Sequence, residues 1–275
     1  MKSVAKQTAA SGDGHGEDEP QALAEELARS EAPPVTGLEI VVVYDNALYR
    51  QDLEARWGFA CVIRGPDETI LFDTGGDGAV LLGNMAKLSV RPAEIDAVIL
   101  SHVHLDHVGG LGRFLAESAD VSVHVPRSFP DGLKETVRVA GARLAEVGGP
   151  AEICGNVYST GEMGAGLMEQ SLILRTDRGL IVITGCAHPG IVQVVGRAAD
   201  LIREDVLLVM GGFHLAGISG RGMAGVLANL RELKVRYVGP CHCTGDGPIH
   251  GFEEEFGSGF VSIGVGRTIR MADLT

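Results

Sequence analysis

From Leu38 onward the chain alternates short apolar runs with glycine, proline or aspartate. Leu38–Tyr44, Ala60–Arg64, Thr69–Phe72, Ala97–Leu100 and Val121–Val125 have strand length and predict strands. Between some of them the apolar positions recur at helical spacing, which predicts helices over Ala79–Leu88, Leu111–Ser118 and Leu133–Val139. The second half repeats this rhythm. Ser171–Thr176 and Leu180–Thr184 form a predicted hairpin over Asp177-Arg178-Gly179. After it come a helix over Gly190–Arg203, a strand over Val206–Met210, a helix over Met223–Leu233, a short strand at Tyr237–Val238 and a terminal strand region over Phe260–Met271. Several strands are apolar on both faces, as in a sheet covered on two sides. Strands followed by helices in each half predict an α/β fold, a four-layer αβ/βα sandwich of two facing sheets with helices outside. No linker interrupts the pattern after residue 37, so 37–275 is expected to be a single domain.

Residues 1–36 lack that pattern. They are rich in Ala, Gly, Asp, Glu and Ser, and contain the polar run from Ser11 to Pro20. Such a composition buries too little apolar area to offset its ordering entropy, which predicts a disordered tail with His15 a solvated bystander. At most, Gln21–Ser30 forms a short exposed helix that Pro33-Pro34 ends.

Composition narrows the class. A hydrophobic share of 45% supports a sizeable core, and the 39 glycines, without a collagen-like period, imply many tight turns. A net charge of −13, a pI near 5.1 and 5% aromatics argue against nucleic acid, which needs clustered Lys and Arg. The longest apolar runs, Leu38–Tyr44 and Val206–Met210, are too short to cross a bilayer, so no membrane association is expected. No apolar stretch follows the two N-terminal lysines, and the five cysteines are odd in number, which together predict a cytoplasmic protein without a disulfide framework. The expected partner is a small-molecule substrate; oligomeric state leaves no mark in the sequence.

The chemistry concentrates after the strand Ala97–Leu100, in Ser101-His102-Val103-His104-Leu105-Asp106-His107-Val108-Gly109-Gly110. Residues two apart in an extended segment project to one side, so His102 and His104 point together. Asp106 and His107 come from the turn into the next helix. Three imidazoles and a carboxylate at the mouth of a buried strand pack poorly unless a cation organises them. The donor set suits zinc, and also manganese or iron.

His102-x-His104-x-Asp106-His107 resembles the signature of the metallo-β-lactamase superfamily. Leu71-Phe72-Asp73-Thr74-Gly75 is similar to that superfamily's first motif, which implies that Asp73 supports the metal-binding loop. The match runs in order over residues 38–271. Tyr44-Asp45-Asn46, Trp57-Gly58, Glu169-Gln170-Ser171-Leu172, Thr184-Gly185-Cys186-Ala187-His188, Gly211-Gly212-Phe213-His214-Leu215 and Gly239-Pro240-Cys241-His242-Cys243-Thr244-Gly245 resemble the dihydropterin-synthase-like subfamily. That subfamily's named activity joins a dihydropterin methyl group to ribofuranosyl-aminobenzene phosphate with loss of pyrophosphate; most relatives are described only as metal-dependent hydrolases.

The resemblance implies the remaining ligands. His102, His104 and His188 are expected to hold a first metal, and Asp106, His107 and His242 a second. His188 stands in for the histidine of a Gly-His-Thr-Pro-Gly motif missing before Ser171. Cys186 occupies the position of a bridging aspartate, where a thiolate is itself able to ligate zinc, so one or two ions are expected. Cys186, Glu169 and Asp73 are expected as supports or substrate contacts. His214, reached from Val206–Met210 through two glycines, is either a catalytic or substrate contact or a hydrogen-bonded rim residue. Cys241 and Cys243, flanking His242 in an extended segment, would point to the opposite face as core residues. His124 is expected to be a core histidine, and His250 to sit in a Gly/Pro loop.

The expected function is hydrolysis of a small anionic or ester-like molecule, with Asp106 as a general base and water activated at the metal. Alternatives are a dihydropterin-type transferase, an iron-dependent oxygen-using enzyme and a non-catalytic binding protein on the same fold.

Overall fold

The computed structural model of the protein describes Pro34, Val35, residues 37–65 and residues 67–275. The expected disordered tail and its helix over Gln21–Ser30 lie outside the described residues, except for Pro34 and Val35. Val35 corrects the expected boundary. It is buried against the core, its N–H donates to the Arg175 carbonyl at 3.1 Å, and it bridges Thr176, so the domain starts before residue 37.

The first half supplies β1 (Glu39–Tyr44), β2 (Ala60–Arg64), β3 (Ile70–Phe72), β4 (Ala97–Ile99), β5 (Ser122–Pro126) and β6 (Arg143–Val147). The second supplies β7 (Ala151–Cys154), β8 (Val157–Ser159), β9 (Leu172–Thr176), β10 (Gly179–Thr184), β11 (Val206–Gly212) and β12 (Tyr237–Cys241). The last strand, β13 (Thr268–Arg270), returns to pair antiparallel with β1. The sheets run β13-β1-β2-β3-β4-β5-β6 and β12-β11-β10-β9-β8-β7.

Strand alternation builds the layers. Ile40, Val42, Phe72 and Ile99 of the first sheet meet Leu172, Ile181, Ile183 and Met210 of the second in one core. Their neighbours Val41, Val43, Leu71 and Val98 face outward, under α1 (Gly78–Lys87) and, past the short α2 (Leu105–Val108), under α3 (Leu111–Glu117) and α4 (Asp131–Val139). Ile173, Val182 and Val209 likewise face α5 (Ile191–Ile202), α6 (Gly220–Glu232) and α7 (Asp246–Phe256). This is the four-layer αβ/βα sandwich. Each fully buried Leu or Ile in these layers contributes about 1.5–3 kcal/mol.

Three expectations change. The apolar pattern predicts none of β6, β7 and β8: Arg143–Val147 and Ala151–Cys154 are partly exposed and carry charges that blur it, and Val157–Ser159, though buried, is only three residues long. α7 replaces a loop: Pro248 sits in its first turn, where a missing N–H costs nothing, but Gly247 and Gly251 hide the helix from propensity. Between Phe260 and Met271 only Thr268–Arg270 is a strand, while Phe260 makes an isolated bridge with Val238.

The strand directions place the chemistry. β3, β4 and β5 are parallel neighbours, as are β10, β11 and β12. The segments leaving β3, β4, β10, β11 and β12 carry Asp73, His102–His107, Cys186–His188, His214 and His242, at the carboxyl ends where open α/β sheets bind ligands.

Candidate metal centre

On the first-sheet side, Asp73 is the anchor. It is fully buried, and its Oδ1 accepts the Ser101 N–H at 2.7 Å. Its Oδ2 accepts the Ser101 hydroxyl and the His107 Nδ1–H, both at 2.7 Å. Burial disfavours the charged His107 ring, but Asp73 outweighs it and lifts the ring above the ordinary histidine value. The loop is pinned behind: the His107 carbonyl accepts from the Thr74 N–H and hydroxyl at 2.8 Å each. Gly110 permits this approach, since a Cβ there would lie 2.1 Å from the Thr74 carbonyl oxygen.

On the second-sheet side, Glu169 shapes the loop after β10. It is buried; its Oε1 accepts from the Thr184 hydroxyl at 3.1 Å and the Cys186 and Ala187 N–H groups at 2.8 and 2.9 Å, and its Oε2 from the His188 N–H at 2.8 Å. In the sequence Glu169 is expected only as a support or a substrate contact, without this definite task. The two sides press together at Gly185, where a Cβ would fall 2.1 Å from Ser101 Oγ. Backbone strain accumulates here, with φ of 57° at Asp73, 53° at Ala187, 50° at His214 and 51° at His242.

The hydrogen bonds assign the imidazole tautomers. His107 Nδ1 donates to Asp73, His102 Nδ1 donates to Ser101 Oγ at 3.0 Å, and His242 Nδ1 donates to Asn46 Oδ1 at 3.1 Å. Asn46 Oδ1 also accepts the Gly58 N–H, which fixes its amide orientation. All three rings therefore turn their Nε2 lone pairs inward. His107 Nε2 and His242 Nε2 face each other at 3.2 Å, with Cys186 Sγ 3.3 Å from the former and Asp106 Oδ2 3.2 Å from the latter. Such a pair needs a cation between its members, a proton or a metal ion. His188 Nε2 is buried with no hydrogen-bond partner, which a proton elsewhere does not relieve.

Three groups bring one donor atom per residue within 4.8 Å of each other: His102, Cys186 and His188; His107, Cys186 and His242; and Cys186, His214 and Cys243. Buried imidazoles with outward N–H groups held by a carboxylate, a hydroxyl and an amide fit a divalent metal. His104 reaches His102 at 3.2 Å and its ring centroid is 5.0 Å from that of His188, but it is exposed and stands outside the tight groups. Burial holds His188 down at about 4, reinforced by the neighbouring His214, so it stays neutral for ligation.

Cys186 belongs to all three groups, closer in than a supporting role. Cys243 corrects another expectation. The chain turns at His242 into a 3-10 segment, so Cys243 joins Cys186 and His214, while Cys241 alone enters the core. Hydrogen bonding to Cys186, with help from His214, lowers the Cys243 thiol to about 7 against its burial. All five cysteines are free. His214 is exposed, its ring 4.4 Å from that of His188. His124 is partly buried and bonds Ser122 Oγ, and His250 lies on α7 beside Glu253 and Glu254. No helix among the described residues is long and apolar enough to cross a membrane.

The profile of the metallo-beta-lactamase superfamily matches residues 58–219. The 7,8-dihydropterin-6-methyl-4-(beta-D-ribofuranosyl)-aminobenzene-5'-phosphate synthase of Methanocaldococcus jannaschii is 27% identical over 82% of this chain and 94% of its own. A hydroxyacylglutathione hydrolase of Serratia proteamaculans is 29% identical over 62% of this chain and 77% of its own. Among solved structures, a metal-dependent hydrolase of the beta-lactamase superfamily superposes with a TM-score of 0.69 at 27% identity, covering 84% of this chain and 98% of its own.

Proposed function

This chain belongs to the metallo-beta-lactamase superfamily, and from that premise we propose that it is a metal-dependent hydrolase acting on a small anionic or ester-like substrate. The observation that carries this is the set of inward Nε2 lone pairs, with the partnerless Nε2 of His188 beside them. His102, His104 and His188 would hold one ion and Asp106, His107 and His242 a second, with Cys186 a further donor available to either; zinc suits this mixed imidazole, thiolate and carboxylate set, with manganese or iron as the alternatives. A bound divalent ion supplies Lewis acidity and lowers the pKa of water.

The chain's own groups do the rest. Burial opposes the charge on Asp106, but a proton shared by the facing His242 and His107 rings, in the place a metal ion would take, outweighs it and holds the carboxyl well below its usual range. Asp106, with Oδ2 3.2 Å from His242 Nε2, would orient a water or accept its proton and ligate an ion. Asp73 and Glu169 fix the two loops so that the donors stay aligned without substrate. His214, exposed beside His188, would meet the leaving group and exchange a proton with it.

A second reading, a dihydropterin-type transfer releasing pyrophosphate, draws on the similarity to the M. jannaschii synthase over nearly the whole of that protein. Metal analysis of protein purified without added zinc, followed by product analysis, tests both. Water-derived products from phosphodiesters, lactones or thioesters support hydrolysis. Pyrophosphate released from a dihydropterin diphosphate only in the presence of the aminobenzene acceptor supports transfer. No bound metal together with full activity of His102→Ala would sink both.

A further inference from the structure

Two of the five cysteines do not pack as core. Cys61 and Cys241 lie in the apolar core between the sheets, whereas none of the three apolar clusters of the described residues includes Cys186 or Cys243. Both are buried all the same, and the Cys243 thiol reaches the Cys186 carbonyl at 3.9 Å. Gly212 makes the room: a Cβ there would fall 2.7 Å from Cys243 Sγ.

Loops distant in sequence bring these thiols to His214, and hydrogen bonds lace the loops together. The Gly212 N–H donates to the Gly185 carbonyl at 3.1 Å, joining the loop of His214 to that of Cys186. The buried Thr244 hydroxyl accepts the Phe213 N–H at 3.0 Å and donates to the Cys241 carbonyl at 2.7 Å, joining the loop of His214 to that of Cys243. One donor atom each of Cys186, His214 and Cys243 then falls within 4.8 Å of the other two. Donors around a tetrahedral zinc are about 3.3–3.8 Å apart, a closure within reach of side-chain rotation.

Donor chemistry separates this group from its neighbours. The other two groups each combine one thiol with two imidazoles, and this one combines two thiols with one imidazole. Thiolates favour thiophilic ions such as zinc or copper(I), while imidazole and carboxylate also suit manganese and iron. Cys243 lines a cavity of about 580 Å³ whose rim carries the 62% exposed Trp57, so an ion has a way in.

We propose that Cys186, Cys243 and His214 form a third metal position, separate from the two histidine positions and selective for a thiophilic ion, zinc in the first instance. It needs only these three side chains and does not depend on the reaction proposed above. Cys186 Sγ also lies 3.3 Å from His107 Nε2, so filling the position draws Cys186 away from His107 or makes it a bridge. An ion held there takes the His214 nitrogen as well, which excludes proton exchange with a leaving group while it is bound. Occupancy is therefore inhibitory.

Cadmium is the probe, because its bonds to thiolate absorb in the ultraviolet. Added at one equivalent to the full-length protein as purified, it should be bound by two sulfurs and at least one imidazole in X-ray absorption at the cadmium edge. Cys243→Ser should halve the thiolate absorption per cadmium and weaken binding, measured against a chelator, by about 10-fold or more. His214→Ala should keep the absorption and lose affinity. Cys154→Ser, on the edge strand β7, should match the parent in both. One sulfur or none per cadmium in the parent would overturn the position, and so would a Cys243→Ser protein with the parent's absorption and affinity. The first readout needs no variant, so it decides even where Cys243→Ser fails to fold. Two sulfurs per cadmium in a protein that turns over no substrate leaves the position standing and retires the enzymatic reading. One sulfur per cadmium in an active enzyme does the reverse.

Discussion

The two sheets bring unequal halves to the same centre. From the first, His102 and His107 are fully buried, and Ser101 and Asp73 hold their outward nitrogens in a closed network. From the second, the backbone of Cys186, Ala187 and His188 is held by Glu169, but the His188 ring has a partnerless Nε2 and His214 is exposed. One half is finished by the protein alone; the other is anchored through its backbone, and its side chains wait for something to bind. A site of this kind keeps a rigid template on one side and an adjustable one on the other.

The sharpest way to break that contrast is Asp73→Ala. It strands the Ser101 N–H and the His107 Nδ1–H in a buried place, at about 1–3 kcal/mol each. For a domain of this size a melting temperature lower by about 10 °C is expected, together with loss of most bound metal. Scanning fluorimetry and elemental analysis read both, and a melting point within about 2 °C of the parent would refute the assignment of the rigid half.

Glu169→Gln should have a smaller effect. One oxygen survives, but an amide NH₂ now faces backbone N–H groups, so the loop from Cys186 to His188 shifts. Metal affinity should fall by about 10- to 100-fold with a melting shift well under that of Asp73→Ala. If the two variants melt alike, the halves are equally anchored and the contrast is wrong.

His124 offers the mildest test. Burial, then the nearby Arg143, holds its pKa below the ordinary 6.5. The unfolded chain takes up that proton more readily, so His124 lowers folded stability as the pH falls below 6.5. His124→Gln should flatten the acid limb of stability against pH and leave it unchanged above neutrality. An unaltered acid limb in denaturant titrations would show that the ring is not kept neutral by the fold.

The parts of the molecule legible in the sequence are those where one local pattern decides the structure. The strand Ala97–Leu100 and the histidine motif after it are adjacent in the chain, so a turn and a periodicity were enough to find them. β6 and β7 escaped notice because edge strands with exposed Arg143, Glu146 and Glu152 do not alternate cleanly. The place of Cys186 in three donor groups was hidden for another reason. It depends on three strand ends of the second sheet meeting the loop after β4, and on a left-handed turn at His242 that rotates Cys243 toward it. Residue spacing alone predicted the opposite face for Cys243. Glu169 showed only as a carboxylate near a strand, since its partners are backbone N–H groups that no side-chain pattern reveals.

The left-handed backbone at Asp73, Ala187, His214 and His242 also governs how this rim is able to change over generations. Asparagine, aspartate and glycine enter such positions at small conformational cost, whereas valine and isoleucine are strongly disfavoured by their branched Cβ. At Ala187, packed tight and facing no solvent, glycine is the one replacement that relieves strain without adding volume. The corridor of tolerated single substitutions at the mouth of this centre is thus narrowed first by the shape of the main chain, before any selection on chemistry begins.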